Sequence, residues 1–150
     1  MKKIALLVMT IALAVGCSST KKATAKADTA NSLSFEYTAS TRGSYNKVIV
    51  TQDSVVTIKD HEMKNVSTKS LKKADWDKLV ADTEKIDLTT LQSIKAPSTK
   101  HQFDGALGAN LKVIKDGKEY NSATFDHGTP PAEIAGIVTR ILTVSDLQKK

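Results

Sequence analysis

The chain is poor in the residues that most often carry recognisable chemistry. It has 1 cysteine, 3 histidines, 3 prolines and 7 glycines in 150 residues, and aromatic residues make up 5%. A single cysteine cannot form a disulfide within the chain, so a folded domain must rely on its core. The sequence also contains no Gly-x-Ser-x-Gly, no His-Glu-x-x-His and no glycine-rich phosphate loop. The commonest signatures of hydrolases, zinc proteases and nucleotide-binding proteins are therefore missing.

A long hydrophobic run is missing as well. The apolar stretch Ile4–Val15 has about twelve residues, whereas a membrane span needs about 20. It follows two lysines and ends at the small residue Gly16, a pattern typical of a secretory signal. A membrane helix and an ordinary signal peptide are the alternatives, but neither explains why the only cysteine comes directly after Gly16.

Cys17 is the most informative residue of this leader. The segment Ala14-Val15-Gly16-Cys17 resembles the lipobox of bacterial lipoproteins, although Ala14 stands where Leu is more usual. The resemblance implies that residues 1–16 are a signal peptide, that the Cys17 thiol is joined to diacylglycerol, and that the new amine is acylated. Two or more acyl chains hold a protein stably on a bilayer. The sequence therefore predicts a membrane contact through an N-terminal lipid on Cys17.

The chain after the leader divides into a tether, a domain and a tail. Residues 17–32 hold the lipidated cysteine and a Ser-, Thr-, Ala- and Lys-rich segment without large apolar residues, which predicts a flexible tether. Residues 33–147 have the length of one domain, and residues 148–150 form a short tail.

Charge is distributed unevenly between these parts. The whole chain has 22 basic and 16 acidic residues, but residues 33–147 carry 15 of each and have no net charge. A nucleic-acid-binding domain would carry a basic stripe on its folded body, so that class is excluded. The lysines that follow Cys17 could contact anionic headgroups or simply keep the tether soluble.

Hydrophobic periodicity predicts an α+β fold. Alternation marks strands at residues 33–40, 45–51 and 54–59, with a further short strand at Val66–Ser70. A 3.6-residue stripe from Trp76 to Ile86 predicts a helix whose Trp76 belongs to the core, and a helical turn follows at 88–94.

The second half of the chain predicts a hairpin and a last helix. Strands at 106–115 and 118–125 flank Asp116-Gly117, a strong signal for a type I′ turn. Thr129 is predicted to cap the last helix, opened by Pro130. The order β-β-β-(β)-α-β-β-α predicts two layers, an antiparallel sheet with two amphipathic helices on one face.

One group of polar residues could carry chemistry. If Lys115 pairs with Lys118, the hairpin register brings residues 103–105 to residues 125–128. Asp104, Asp126 and His127 are then predicted to cluster, with His101 nearby, as a candidate binding site. Carboxylates and imidazoles could hold a transition metal or act as an acid–base pair. The alternative, which the residue types favour, is that these are ordinary turn and capping residues.

Two further features of the sequence have both a structural and a functional interpretation. The small residues Gly105, Ala106, Gly108 and Ala109 indicate either the close approach of a helix, which is the favoured interpretation, or the floor of a groove. Tyr37, Tyr45 and Arg42 lie near the first turn, and aromatic residues with arginine are typical of protein contacts. The simpler alternative is that the tyrosines are half-buried strand residues and Arg42-Gly43 is a turn.

Several motifs together resemble a known group of proteins. They are Cys17, Arg42-Gly43, Asp75-Trp76, Phe103-Asp104-Gly105-Ala106 and Phe125-Asp126-His127-Gly128-x-Pro130-Pro131. This pattern is similar to small uncharacterised lipoproteins of Bacteroidetes-type bacteria, and the similarity covers most of residues 33–147. The resemblance implies an outer-membrane setting but no activity, cofactor or catalytic residue. Ser18 after Cys17 fits release to the outer membrane, and the absence of an acidic stretch after Cys17 favours the periplasmic leaflet.

These observations lead to two functional hypotheses. The favoured one is a lipid-anchored envelope protein with a non-enzymatic binding role and a possible envelope protein partner. The alternative is a small metal-binding protein or hydrolase that uses Asp104, Asp126 and His127. A buried polar pocket would favour the alternative, and an exposed apolar or aromatic patch would favour the binding role.

Overall fold

A computed structural model describes residues 32–147 of the chain. The predicted leader, the predicted lipidation site Cys17, the predicted tether up to residue 31 and the tail at 148–150 lie outside the described residues. No helix among the described residues is long and apolar enough to cross a bilayer.

The domain is built on an open antiparallel sheet of seven strands, which confirms the α+β prediction. The strands are β1 (Leu33–Thr41), β2 (Ser44–Val50), β3 (Ser54–Ile58), β4 (Val66–Ser70), β5 (Gly108–Lys115), β6 (Lys118–Asn121) and β7 (Phe125–Asp126). Their order across the sheet is β4-β3-β2-β1-β5-β6, and β7 also pairs with β5. The first four strands form a meander, in which two- and three-residue turns join β1 to β2 and β2 to β3 and a seven-residue loop joins β3 to β4.

Two α-helices and three short 3-10 helices complete the fold. The α-helices are α1 (Lys73–Thr83) and α2 (Ala135–Val144), and the 3-10 helices are Leu88–Ser93, Lys100–Phe103 and Ala132–Ile134. The core lies between one sheet face and the two α-helices. It includes the fully buried residues Phe35, Tyr37, Val48, Leu79, Leu111, Phe125, Ile137 and Ile141. Trp76 packs edge-on against Phe35, with ring centroids 6.0 Å apart, so its predicted place at the core is correct.

The β5–β6 hairpin has the predicted turn. Asp116 and Gly117 have φ angles of 52° and 76°, the left-handed pair that a type I′ turn requires. Lys115 pairs with Lys118, and the predicted register holds as far as Lys112 opposite Asn121.

Beyond Ser122, which still lies opposite Leu111, the predicted register is wrong by one residue. The Leu111 N–H donates to the Ser122 hydroxyl oxygen at 2.9 Å, while the Ser122 N–H donates to the Leu111 carbonyl at 2.8 Å. A side chain thus takes the place of a backbone acceptor, and the predicted strand 118–125 breaks into β6 and β7. Pairing resumes with Gly108 opposite Asp126, and the His127 N–H donates to Leu107 rather than to the expected Ala106.

The start of the last helix also differs from the prediction. Thr129 does not cap a helix; its N–H donates to the Asp126 carbonyl at 2.8 Å and the two residues form an isolated β-bridge. The helical conformation starts only at Ala132, and α2 itself at Ala135. Pro130 precedes a second proline, Pro131, whose ring disfavours the helical conformation of the residue before it. The Pro-Pro pair therefore delays the helix.

Candidate functional site

Asp126 is the centre of the polar cluster that the sequence predicted. It is the second residue of β7 and is only 2% exposed. Its carboxylate accepts hydrogen bonds from the Ser98 hydroxyl, from the Lys100 N–H at 3.0 Å and from the His101 N–H at 2.8 Å. The His101 ring contributes a further bond, from Nδ1 at 2.6 Å. A single buried carboxylate thus fixes the chain from Ser98 to His101.

These hydrogen bonds also set the ionisation state of Asp126. Burial by itself would raise the pKa of the carboxyl, but the bonds from Ser98, His101 and Lys100 outweigh it and hold the pKa well below its usual value. Asp126 is therefore ionised at neutral pH. A carboxylate offers about four acceptor positions, and four donors already point at this one. Little acceptor capacity is left for a metal ion or a substrate.

His101 lies against Gly108, the first residue of β5. A Cβ atom placed on Gly108 would come within 3.7 Å of the His101 Cβ and 3.3 Å of the Thr124 Cγ2. The His101 side chain is only 13% exposed. Gly105 and Gly108 thus accommodate the close approach of Lys100 and His101 in the 3-10 helix Lys100–Phe103, which agrees with the packing interpretation.

His127 takes part in a different contact. Its Nδ1 lies 2.8 Å from the Tyr37 hydroxyl oxygen, and the two rings are 5.9 Å apart. Tyr37 is fully buried, and this burial raises the pKa of its phenol strongly, while a hydrogen bond from the Gly128 backbone lowers it in part. Tyr37 therefore stays protonated and ties β1 to the turn that precedes α2.

Asp104 does not join the cluster. It ends the 3-10 helix in the left-handed conformation, with φ of 57°, and its N–H donates to the Lys100 carbonyl. Its side chain is exposed and makes no hydrogen bond or ion pair with another residue of the described part. Of the predicted residues, the structure brings Asp126 and His101 together, pairs His127 with Tyr37 and turns Asp104 to solvent.

Within residues 32–147, no group of three or more His, Cys, Asp or Glu side chains is arranged to hold a metal ion. A solvent-open groove of about 830 Å³ lies elsewhere, between α1, the 3-10 helix Leu88–Ser93 and the start of α2. Its lining includes Ile86, Ile94 and Gly136 and a mixed charged rim, and it contains none of the predicted site residues.

Phe103 is the functional candidate that the sequence reasoning missed. It closes the loop that Asp126 holds, residues 98–104, named here the Phe103 loop, and its side chain is 81% exposed. The signal was present, because Phe103 stands between the polar residues Gln102 and Asp104 and fits no apolar alternation.

The exposed hydrophobic side chains share one end of the sheet. Within residues 32–147 the large ones are Met63, Val66 and Phe103. Ser32 and the β5–β6 turn meet at the opposite end, where the Asp116 N–H donates to the Ser32 carbonyl at 2.9 Å. We name the first end the Phe103 end; it contains the β1–β2 turn, the 59–65 loop, the start of β4 and the Phe103 loop. The opposite end is named the Ser32 end. Tyr45 also lies at the Phe103 end, with its ring 4.4 Å from that of His61.

Comparison with known proteins gives no relative for this arrangement. No family model matches the sequence, and neither a curated protein nor a solved structure is significantly similar to it.

Proposed function

We propose that this chain is a lipid-anchored envelope protein with a non-enzymatic binding role, and that the Phe103 loop contacts a protein partner. In this proposal Cys17 carries the lipid, and the domain faces the periplasm from the outer membrane. The binding role rests on Phe103, whose side chain is 81% exposed on a loop that the buried Asp126 carboxylate holds in place.

The Phe103 loop has the properties of a binding anchor. Aromatic side chains are enriched among the residues that dominate protein–protein binding energy, because each buries a large area at a small cost in side-chain entropy. The bonds to Asp126 order the turn before a partner arrives. A preordered loop loses less conformational entropy on binding than a flexible one.

The position of the loop suits a tethered protein. The chain enters the domain at the Ser32 end, and Phe103 lies at the other end of the nine-residue strand β1. Strands rise about 3.3 Å per residue, so the two ends are about 30 Å apart. A lipid on Cys17 would leave the Phe103 end free to meet a partner away from the bilayer.

The hydrolase or metal-binding alternative has less support. Asp126 is occupied by four donors, and Asp104 points away from it. A general base must have acceptor capacity directed at a substrate. Asp126 instead directs its acceptors at the loop, which favours a structural role.

The anchor is tested by cell fractionation and by mass spectrometry of the N-terminal peptide. The full-length chain is expected in the outer-membrane fraction with a diacylglycerol-modified, acylated Cys17. Cys17→Ser should abolish the lipid modification and remove the protein from the outer-membrane fraction. A wild-type chain with an unmodified Cys17 refutes the anchor.

The binding role is tested with a photo-crosslinking amino acid placed in living cells. A probe at Gln102 reports contacts of the Phe103 loop, and a probe at Lys118 reports contacts of the Ser32 end. One protein species should be captured from position 102 and not from position 118, and Phe103→Ala should abolish its capture. Met63→Ala is the matched control, because Met63 is also exposed, at 62%. Capture that is equal at both probes, or unchanged by Phe103→Ala, contradicts the proposal.

A further inference from the structure

The two edges of the sheet are protected differently. The edge strand β6 packs against the 3-10 helix Leu88–Ser93. The other edge strand, β4, packs mainly against β3, and all five of its residues are exposed. An uncovered edge presents unpaired backbone N–H and C=O groups and can pair with another strand.

The ladder with β3 shows which backbone groups of β4 are free to pair. The Lys59 N–H donates to Asn65 and the Leu71 N–H to Asp53, both at 3.0 Å, so residues 65 and 71 point their backbone groups at β3. Antiparallel pairs alternate in this respect, so Ser67 and Lys69 also point towards β3. The N–H and C=O groups of Val66, Thr68 and Ser70 therefore point outwards from the edge.

Charged side chains often keep an edge strand from pairing with another chain, and β4 has little of this protection. Lys69 is the only charged residue of the strand, and its Nζ lies 2.6 Å from the Asp146 carboxylate. Ser67 donates to the other oxygen of the same carboxylate at 2.6 Å. The bonds from Lys69 and then Ser67 lower the pKa of Asp146, so this carboxyl is ionised at neutral pH. The lysine is thus paired on the helix-covered face and does not project across the edge.

We propose that β4 pairs with β4 of a second copy of this chain, antiparallel and centred on Thr68. The centre is fixed by the outward residues: Thr68 meets Thr68 of the second copy, and Val66 meets Ser70. Each of these pairs exchanges two N–H···O=C bonds, as closely spaced antiparallel pairs do. A two-fold axis through this centre gives the self-complementary interface typical of homodimers.

The side chains are complementary in the same register. On the helix-covered face, Ser67 lies opposite Lys69 of the second copy. Because Asp146 binds both Ser67 and Lys69 of its own chain, it would also lie beside Lys69 of the second copy. Two carboxylates and two ammonium groups then alternate across the axis. On the other face, Thr68 pairs with its counterpart, a favourable cross-strand pair.

The proposed lipid anchor would supply the concentration that this small interface needs. Five paired residues bury far less than the about 1,200–2,000 Å² of a stable interface. Holding both copies on one membrane raises their effective concentration towards the millimolar range, as linkage does for tethered modules. The stability of the proposed dimer therefore rests on the proposed function, whereas its geometry does not.

Cysteine substitution in the full-length protein in cells tests the register. Closely spaced antiparallel pairs have Cα atoms about 5.5 Å apart, within the range that a disulfide spans. Under mild oxidation Thr68→Cys should give at least about tenfold more disulfide-linked dimer than Val66→Cys or Ser70→Cys. In those two variants the like residues are offset by about 13 Å along the strands. Co-expression of Val66→Cys and Ser70→Cys should restore the mixed dimer.

A proline variant provides a second test. Thr68→Pro removes an outward N–H and leaves the ladder to β3 intact. In the co-expressed Val66→Cys and Ser70→Cys chains it should abolish the mixed dimer with little change in melting temperature.

The possible failures are distinguishable. Equal cross-linking at the three positions, no dimer from Thr68→Cys, or a link from Thr68→Cys to a different protein overturns the dimer. If Cys17 proves to be unmodified while Thr68→Cys still dimerises selectively, the anchor fails and the dimer stands. If Cys17 is lipidated but Thr68→Cys gives no dimer, the dimer fails and the anchor stands.

Discussion

Ser122 supplies a sharp test of how this sheet keeps its register. Its hydroxyl oxygen accepts the Leu111 N–H at 2.9 Å, and its own proton goes to the Ala123 carbonyl at 2.8 Å. Ser122 is 7% exposed and Leu111 is fully buried, so water cannot replace the lost partner easily. Ser122→Ala would leave the Leu111 N–H in the centre of the sheet without an acceptor.

The size of the effect follows from that unsatisfied donor. A buried polar group without a partner costs about 1–3 kcal/mol. In a domain of this size, 1 kcal/mol shifts the melting temperature by about 4 °C. We therefore expect Ser122→Ala to lower the free energy of unfolding by about 1–3 kcal/mol and the melting temperature by about 4–12 °C.

Urea unfolding followed by circular dichroism measures this loss, with the chain from Ser18 onwards. Ser93→Ala is the matched control, because the Ser93 hydroxyl only donates to the Thr90 carbonyl at an exposed position. Exposed substitutions of this kind change stability by about 0.5 kcal/mol or less. If Ser122→Ala is no more destabilising than Ser93→Ala, the Ser122 hydroxyl does not hold the register and the explanation for the break between β6 and β7 is wrong.

Two further predictions concern Asp126 and Gly136. Because the folded pKa of Asp126 is depressed, its stabilisation is fully present above the unfolded pKa of about 4 and declines as the pH falls below it. The stability difference between the wild type and Asp126→Asn should therefore be constant from pH 7 to 5 and shrink towards pH 3 in urea titrations; a difference that does not shrink contradicts the assignment. A Cβ on Gly136 would lie 3.0 Å from the Asp82 Oδ2, so Gly136→Ala should gain less than the about 1 kcal/mol of its helix propensity. In an Asp82→Ala background the full gain should return, and a double-mutant cycle without coupling would show that the two residues do not interact.

The sequence predicted the strands and the α-helices well, because their hydrophobic periods are undisturbed. Phe35 and Tyr37 alternate inwards as expected, and Asp116-Gly117 forms the predicted turn. The one-residue shift after Ser122 was not predictable from periodicity, since it accompanies a single side-chain hydrogen bond that Ser122 accepts from Leu111. The late start of the last helix was predictable, because the Pro130-Pro131 pair carries the signal.

The candidate site was predicted only in part. Asp126 and His101 meet, in agreement with the prediction that His101 lies near the cluster. The separation of Asp104 depends on its left-handed backbone, and the contact of His127 depends on the buried hydroxyl of Tyr37. Neither is visible as a spacing in the sequence. The role of Asp126 as the centre of a loop became apparent only from its four donors.

The central position of β1 has a consequence for how the domain folds. Its two neighbours differ in their distance along the chain. Strand β2 follows β1 directly, whereas β5 lies far along the chain and pairs its Lys115 with Leu33 of β1. Hairpins β1 to β4 can form early, but their apolar face stays uncovered until β5 and α2 are available. Non-local pairing of this kind slows folding. We therefore expect the domain to remain open until nearly the whole chain is available, which would be compatible with the proposed export of an unfolded chain.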